Sequence, residues 1–281
     1  MNRIAIIAVT YNRLNSLKRL LDSLEKADYQ NESPTLIISI DKSDTDSIEK
    51  FADCYVWPVG EKIVSRHEKN MGLKSHMMSL GNWFDEFETL VILEDDIVVS
   101  PCFYAYARQS SDFYMSNDEV AGISLYGFSM NYHIGIPFAP MKNEYDGYFM
   151  NCAMSWGEIW MKPQWQDFYQ WYLDHQDFNY EPHLPESICK WDKSWLKYHT
   201  RYCIEQNKYF LHPYTSLSTN NGDTGTHNTK KSDSTYQVSL QVETNLSLVF
   251  PLIHQKLFVM MGSLKIGHCV KALDCQRTIV V

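Results

Sequence analysis

The sequence predicts an α/β fold with a mainly parallel central sheet and helices on both faces. Three observations carry this. Short, wholly apolar runs at Ile4–Val9, Leu36–Ile40, Leu90–Leu93 and Val120–Leu125 read as strands buried on both faces. Segments with apolar residues at helical spacing lie between the early runs. Two of the runs end in carboxylates, Asp41 and Glu94-Asp95-Asp96, at the strand ends where open α/β sheets bind ligands.

The elements follow in order. Strand Ile4–Val9 runs into the turn Thr10-Tyr11-Asn12-Arg13, and Leu17, Leu20, Leu21 and Leu24 then mark one face of a helix. Leu36–Ile40 is the second strand, and Asp44–Ala52 is a polar, helix-compatible stretch. Leu73, Met77, Leu80 and Phe84 form the next helical face before strand Leu90–Leu93, and Val120–Leu125 is a further strand. The second half is less regular. Met154–Asp174 is dense in Trp and Tyr at mixed helical spacings. Pro182 and Pro185 break the chain before a helix over Ser187–Tyr198, and Leu217–Thr229 reads as a polar loop. From Leu246 to Val281 the chain turns apolar, with Lys256, Lys265, Lys271 and Arg277 interspersed. That tail fits a peripheral membrane contact, or packing on the domain or on a second copy of the chain.

The 281 residues are 44% hydrophobic, enough for one large domain. A net charge of −9 and the lack of a basic stripe argue against nucleic acid as a partner. The 7 cysteines are odd in number and scattered, without CxxC spacing, and read as thiols of a reducing compartment. The N-terminal apolar run is short and lacks a cleavage pattern, and no segment is long and apolar enough to span a bilayer. The expectation is a cytoplasmic protein, peripheral to the inner membrane face if the tail engages lipid.

Glu94-Asp95-Asp96 is the strongest chemical signal. Adjacent carboxylates repel and are costly to desolvate. A divalent cation reverses that cost, since hard cations take oxygen ligands. The alternative is a solvated acidic turn after an ordinary strand.

Thr10-Tyr11-Asn12-Arg13, Asp41, the His67–Lys74 segment and Glu94-Asp95-Asp96, in this order, resemble the A-type-fold nucleotide-sugar glycosyltransferases. The triplet with Pro101, Cys102 and Phe103 after it is similar to the N-acetylglucosaminyltransferases that start complex N-glycans. Met154–Glu158 and the Gly222–His227 loop look more like bacterial polysaccharide transferases. The resemblance covers about residues 3 to 230. It implies a catalytic domain over 1–245, with a nucleotide-binding half (1–100) and an acceptor-binding half (101–245), followed by the 246–281 tail. It also implies a metal-dependent, inverting transfer from a nucleotide diphosphate sugar to a glycan or lipid-linked saccharide.

By that resemblance Asp96 ligates Mn²⁺ or Mg²⁺, Asp95 contacts the ribose or the metal's surroundings, and Glu94 contacts the nucleoside. Thr10, Tyr11 and Arg13 line the donor site, and Asp41 reads the base or caps the following helix. Lys74 reaches the diphosphate or is an exposed helix lysine. His227 is a second metal ligand, a phosphate contact or an ordinary loop histidine. Asp192, flanked by Trp191 and Trp195, is the expected general base, with Glu158 as runner-up. Two other readings compete. A sugar nucleotidyltransferase needs a glycine-rich early loop, which Thr10–Arg13 lacks. A non-catalytic carbohydrate- or nucleotide-binding module has no need of the intact acids.

Overall fold

The computed structural model describes residues 2–132, 135–177, 184, 186–191, 194–225, 234–243 and 247–253. β1 (Ile4–Thr10) is buried along its whole length. α1 (Leu14–Glu25) follows and buries Leu17, Leu20, Leu21 and Leu24, the stripe its spacing predicts. Full burial of each such leucine contributes roughly 1.5–3 kcal/mol. β2 (Thr35–Ile40) pairs parallel to β1, and the polar stretch after it becomes α2 (Ser47–Cys54).

β3 (Lys62–Arg66) is an edge strand that sequence periodicity does not reveal. α3 (Leu73–Ser79) runs into a 3₁₀ turn over Leu80–Asp85, so the expected helical face is split between two helix types. β4 (Thr89–Glu94) pairs parallel to β1 on its other side. A tight turn at Asp95 and Asp96 leads to β5 (Ile97–Val99), then α4 (Phe103–Tyr114) and β6 (Val120–Ser124).

The second half adds β7 (Met130–Asn131), β8 (Ile136–Pro137), β9 (Gly147–Met150), β10 (Glu158–Met161) and α5 (Lys162–Asp174). The helix expected over Ser187–Tyr198 is instead two: α6 (Glu186–Cys189) and α7 (Leu196–Glu205). β11 (Tyr209–Pro213) and β12 (Ser218–Asn220) follow. β12 lies within the stretch read as loop. It is ordered by antiparallel pairing with β5, Asn220 opposite Ile97.

The main sheet runs β3-β2-β1-β4-β10-β6-β11-β9. The β3-β2-β1-β4 half is parallel throughout. β10 enters antiparallel between β4 and β6, β11 is parallel to β6, and β9 is antiparallel to β11. One face is covered by α1, α2 and α4 through Leu20, Ile48 and Tyr106. The other is covered by α3, α5 and α7 through Met77, Phe168 and Tyr202. This is the mixed α/β layering expected, with the C-terminal ends of β1, β2 and β4 on one edge.

The core extends past residue 245. Phe250 and Ile253 are buried in the first cluster, and the Tyr114 hydroxyl donates to the Pro251 carbonyl at 2.7 Å. The start of the tail therefore packs on α4. Its continuation, 254–281, lies outside the described residues. Among the described residues no helix is long and apolar enough to cross a membrane.

Candidate active site

Parallel pairing of β1 with β4 sets Val9 opposite Glu94, so the turns that follow both strands meet at one edge. Thr10 is buried, and its hydroxyl donates to Asp95 Oδ2 at 2.8 Å. Arg13, immediately before α1, spans both following acids. Its Nη1 donates to Asp96 Oδ2 at 2.9 Å, and its Nη2 pairs with Asp95 Oδ1. One guanidinium thus faces two carboxylates, a geometry its planar fork suits. Tyr11 lies partly buried in the same turn.

Charge in this turn is under-compensated. Burial pushes Asp95 up to about 6 even though Arg13 pulls it down. Glu94 is pushed up to about 8, first by burial and then by Asp96. Burial works against the charge of Arg13, but Asp95 and Asp96 outweigh it and hold the guanidinium protonated. Asp96 Oδ1 is buried with no hydrogen-bond partner. Such an oxygen is costly to leave unmet and is the natural anchor for a cation. Among the described residues no three His, Cys, Asp or Glu side chains form a metal cage. A single carboxylate oxygen still suits Mg²⁺ or Mn²⁺, which take most remaining ligands from water and substrate phosphate.

Asp41 is buried after β2, and its carboxylate is already engaged. Oδ1 accepts from the Met71 amide at 2.8 Å and the Lys42 amide at 2.9 Å, and Oδ2 accepts from the Gly72 amide at 3.0 Å. It therefore fixes the chain entering α3, where Gly72 holds φ +72°, a conformation other residues adopt reluctantly. Lys74, in the first turn of α3, sets its ammonium 5.3 Å from the Tyr198 ring centre. Among the described residues neither side chain forms a hydrogen bond or ion pair with the acidic turn.

Glu158 sits in the central strand β10 with no accessible surface. Its Oε2 accepts from Trp160 Nε1 at 2.6 Å, and its Oε1 is 3.7 Å from His199 Nδ1. Burial pushes Glu158 well up and His199 down to about 3, so both are held neutral. A general base must reach the acceptor hydroxyl, and an enclosed carboxyl does not. Asp192 and His227 lie outside the described residues. Trp195, expected to shield Asp192, is buried in the core edge-on to Trp160, with ring centres 5.8 Å apart.

Sequence reading missed the contacts of the 220–225 segment. The Asn221 amide donates to the Asp96 carbonyl at 2.9 Å. Asp223 Oδ2 accepts from Ser16 Oγ at 2.6 Å and pairs with Arg19, both on α1. A Cβ placed on Gly225 would stand 3.0 Å from Arg13 Nη1. The polar, glycine-containing composition was the only hint, and it does not say which distant residues the loop meets.

No protein-family model matches the sequence, and no curated protein matches it by sequence. Solved structures do. GalNAc-T7, crystallised with UDP, GalNAc and Mn²⁺, superposes at a TM-score of 0.53 with 14% identity over 78% of this chain. S. aureus TarS matches at 0.49 with 15% identity over 77%, and the Pyrobaculum calidifontis mannosyltransferase PcManGT, with GDP-Man and Mn²⁺, at 0.46 with 11% over 76%. The chain spans 43%, 36% and 57% of those three chains respectively. The GalNAc-T7 superposition carries the comparison, at the level of the fold. The chain has the A-type glycosyltransferase fold.

Proposed function

We propose that this chain is a nucleotide-sugar glycosyltransferase that takes a diphosphate donor, a UDP-sugar, at the acidic turn after β4. The observation that carries the reading is the joining of Thr10, Arg13, Asp95 and Asp96 at the meeting of two parallel strand ends. UDP stands beside TarS and GalNAc-T7, and Mn²⁺ beside GalNAc-T7 and PcManGT, in their structures.

In this reading Asp96, whose Oδ1 has no partner, would hold Mn²⁺ or Mg²⁺, with Asp95 contacting the ribose or the metal's surroundings and Glu94 the nucleoside. The bound ion would offset charge on the diphosphate as the sugar–phosphate bond breaks. The chain's own residues do the rest. Arg13 keeps the turn compact by neutralising Asp95 and supplies a fork for phosphate oxygens. Thr10 fixes the orientation of the Asp95 carboxyl. Asp41 and Tyr11 shape the nucleoside side, and Lys74 and His227 are the further phosphate-side groups.

Transfer is inverting, with Asp192 taking the proton of the acceptor hydroxyl. In this reading Glu158, buried and bonded to Trp160, serves the core rather than the proton transfer. The transferred group is a hexose or N-acetylhexosamine. The acceptor is a glycan or lipid-linked saccharide of surface polysaccharide synthesis, with the 254–281 tail meeting a membrane surface or a second copy of the chain.

A panel of nucleotide sugars, screened by thermal shift with and without Mn²⁺, tests the donor class. Stabilisation by UDP-sugars that depends on the metal supports it, and indifference to the whole panel refutes it. Asp192→Asn should leave UDP affinity intact and cut turnover by roughly 10²-fold or more, the scale of a general base. Turnover within a few fold of the parent would move the role to another acid.

A further inference from the structure

The acidic turn is held from two directions, and the second depends on residues far away in sequence. β5, directly after Asp96, pairs with β12. The chain leaving β12 donates the Asn221 amide to the Asp96 carbonyl. Two residues on, Asp223 accepts from Ser16 and pairs with Arg19 on α1, the helix that begins just after Arg13. Burial works against the Asp223 charge, yet Ser16 and Arg19 hold its carboxyl below the ordinary range. Gly225 then lies so close to Arg13 Nη1 that a methyl group there would crowd the guanidinium.

We propose that Asp223 is a positioning residue of the donor site. By latching the Asn220–Gly225 segment to α1, it fixes Arg13 against Asp95 and Asp96. The physical reason is geometric. Arg13 is a long side chain whose fork must be aimed at two carboxylates at once. α1 sets where its backbone starts, and the segment beside Gly225 closes one side of the space it can sweep. Asp223 is the only ionic tie between that segment and α1 among the described residues. Releasing it frees the segment and returns rotamer freedom to Arg13, which weakens any ligand that needs the fork in place. Asp223 touches none of the acids and acts through Arg13 and the Asp96 backbone.

The inference rests on the donor reading for its consequence, so the test separates the two. UDP with Mn²⁺ is titrated by calorimetry into the full chain, its Asp223→Ala and Asp223→Glu variants, and the charge-swapped Arg19→Asp/Asp223→Arg double variant. Melting temperature and amide hydrogen exchange are followed on each. Asp223→Ala should weaken UDP by at least about fivefold, the lower end of coupling between linked sites. It should also speed exchange of the Asn221 amide by about tenfold or more while β1 amides stay protected.

The double variant and Asp223→Glu should recover most of both losses. Unchanged Asn221 exchange in Asp223→Ala overturns the latch. So does a loss of affinity that merely follows a fall in melting temperature and is not rescued by the swap. A parent chain that binds no UDP overturns the donor reading instead, and the exchange of Asn221 then judges the latch alone.

Discussion

Glu158 and His199 face each other in the interior with His199 unpartnered at both ring nitrogens and Glu158 Oε1 unmet. Two descriptions are open to such a pair, neutral acid with neutral imidazole, or carboxylate with imidazolium. Burial favours the neutral one, raising the acid and lowering the base. The sign follows from linkage. A native acid whose affinity for its proton exceeds that of the unfolded chain loses stability as pH rises above the unfolded value near 4.5. Glu158→Gln has no such proton to hold. Its stability relative to the parent should therefore improve between pH 5 and pH 8, by at most about 1.4 kcal/mol per pH unit. Chemical denaturation at both pH values reads this. A glutamine that costs the same at each pH would mean that the folded parent holds no extra proton at this pair. At the acidic turn, Arg13→Ala leaves Asp95 buried without its cation. A cost of about 3 kcal/mol or more in unfolding free energy is expected from denaturant melts.

At the scale of elements, the start of the tail belongs to the core. Phe250 packs against Tyr106 and Tyr114 of α4, with ring centres 6.0 and 5.9 Å away. The Asp146 carboxylate accepts from the Val249 amide at 2.7 Å. A chain ended at Glu243 should thus melt well below one ended at Ile253. Phe250→Ala in the full chain should cost about 3 kcal/mol. Equal melting of the two truncated chains would show that 247–253 contributes nothing to the core. The tail beyond Ile253 carries Lys256, Lys265, Lys271 and Arg277. If it meets lipid, the full chain co-sediments with anionic vesicles, less in high salt, and the chain ended at Ile253 does not. Equal sedimentation of both would remove the membrane role.

The same scale explains what the sequence discloses. β1, β2, β4 and β6 are covered on both faces, so they appear as unbroken apolar runs. β3 is an edge strand that mixes Lys62, Ser65 and Arg66 with Ile63 and Val64, and leaves too weak a pattern. β10 carries the charged type Glu158 in mid-sheet, and β11 contains His212 and ends in Pro213, so neither matches a strand template. α4 buries residues around most of its circumference, including Ser110 and Ser111, which erases the amphipathic stripe. For the site, Thr10, Arg13, Asp95 and Asp96 were legible because each follows a legible strand. Ser16, Arg19 and Asp223 were not, because an ion pair across 204 residues has no local signature.

Over the whole molecule, the sheet is two halves with different work. The parallel β3-β2-β1-β4 half brings the ends of β1 and β4 together at the acidic turn. The mixed β10-β6-β11-β9 half continues the same sheet and is backed by α5 and α7. The proposed function requires that this turn bind a metal-chelated nucleoside diphosphate. Calorimetric titration of UDP into the full chain, with Mn²⁺ and with EDTA, on the parent and on Asp96→Ala, tests it most directly. The parent should bind only when Mn²⁺ is present, and Asp96→Ala should not bind although it melts like the parent. Metal-independent binding, or equal affinity in Asp96→Ala, would contradict it.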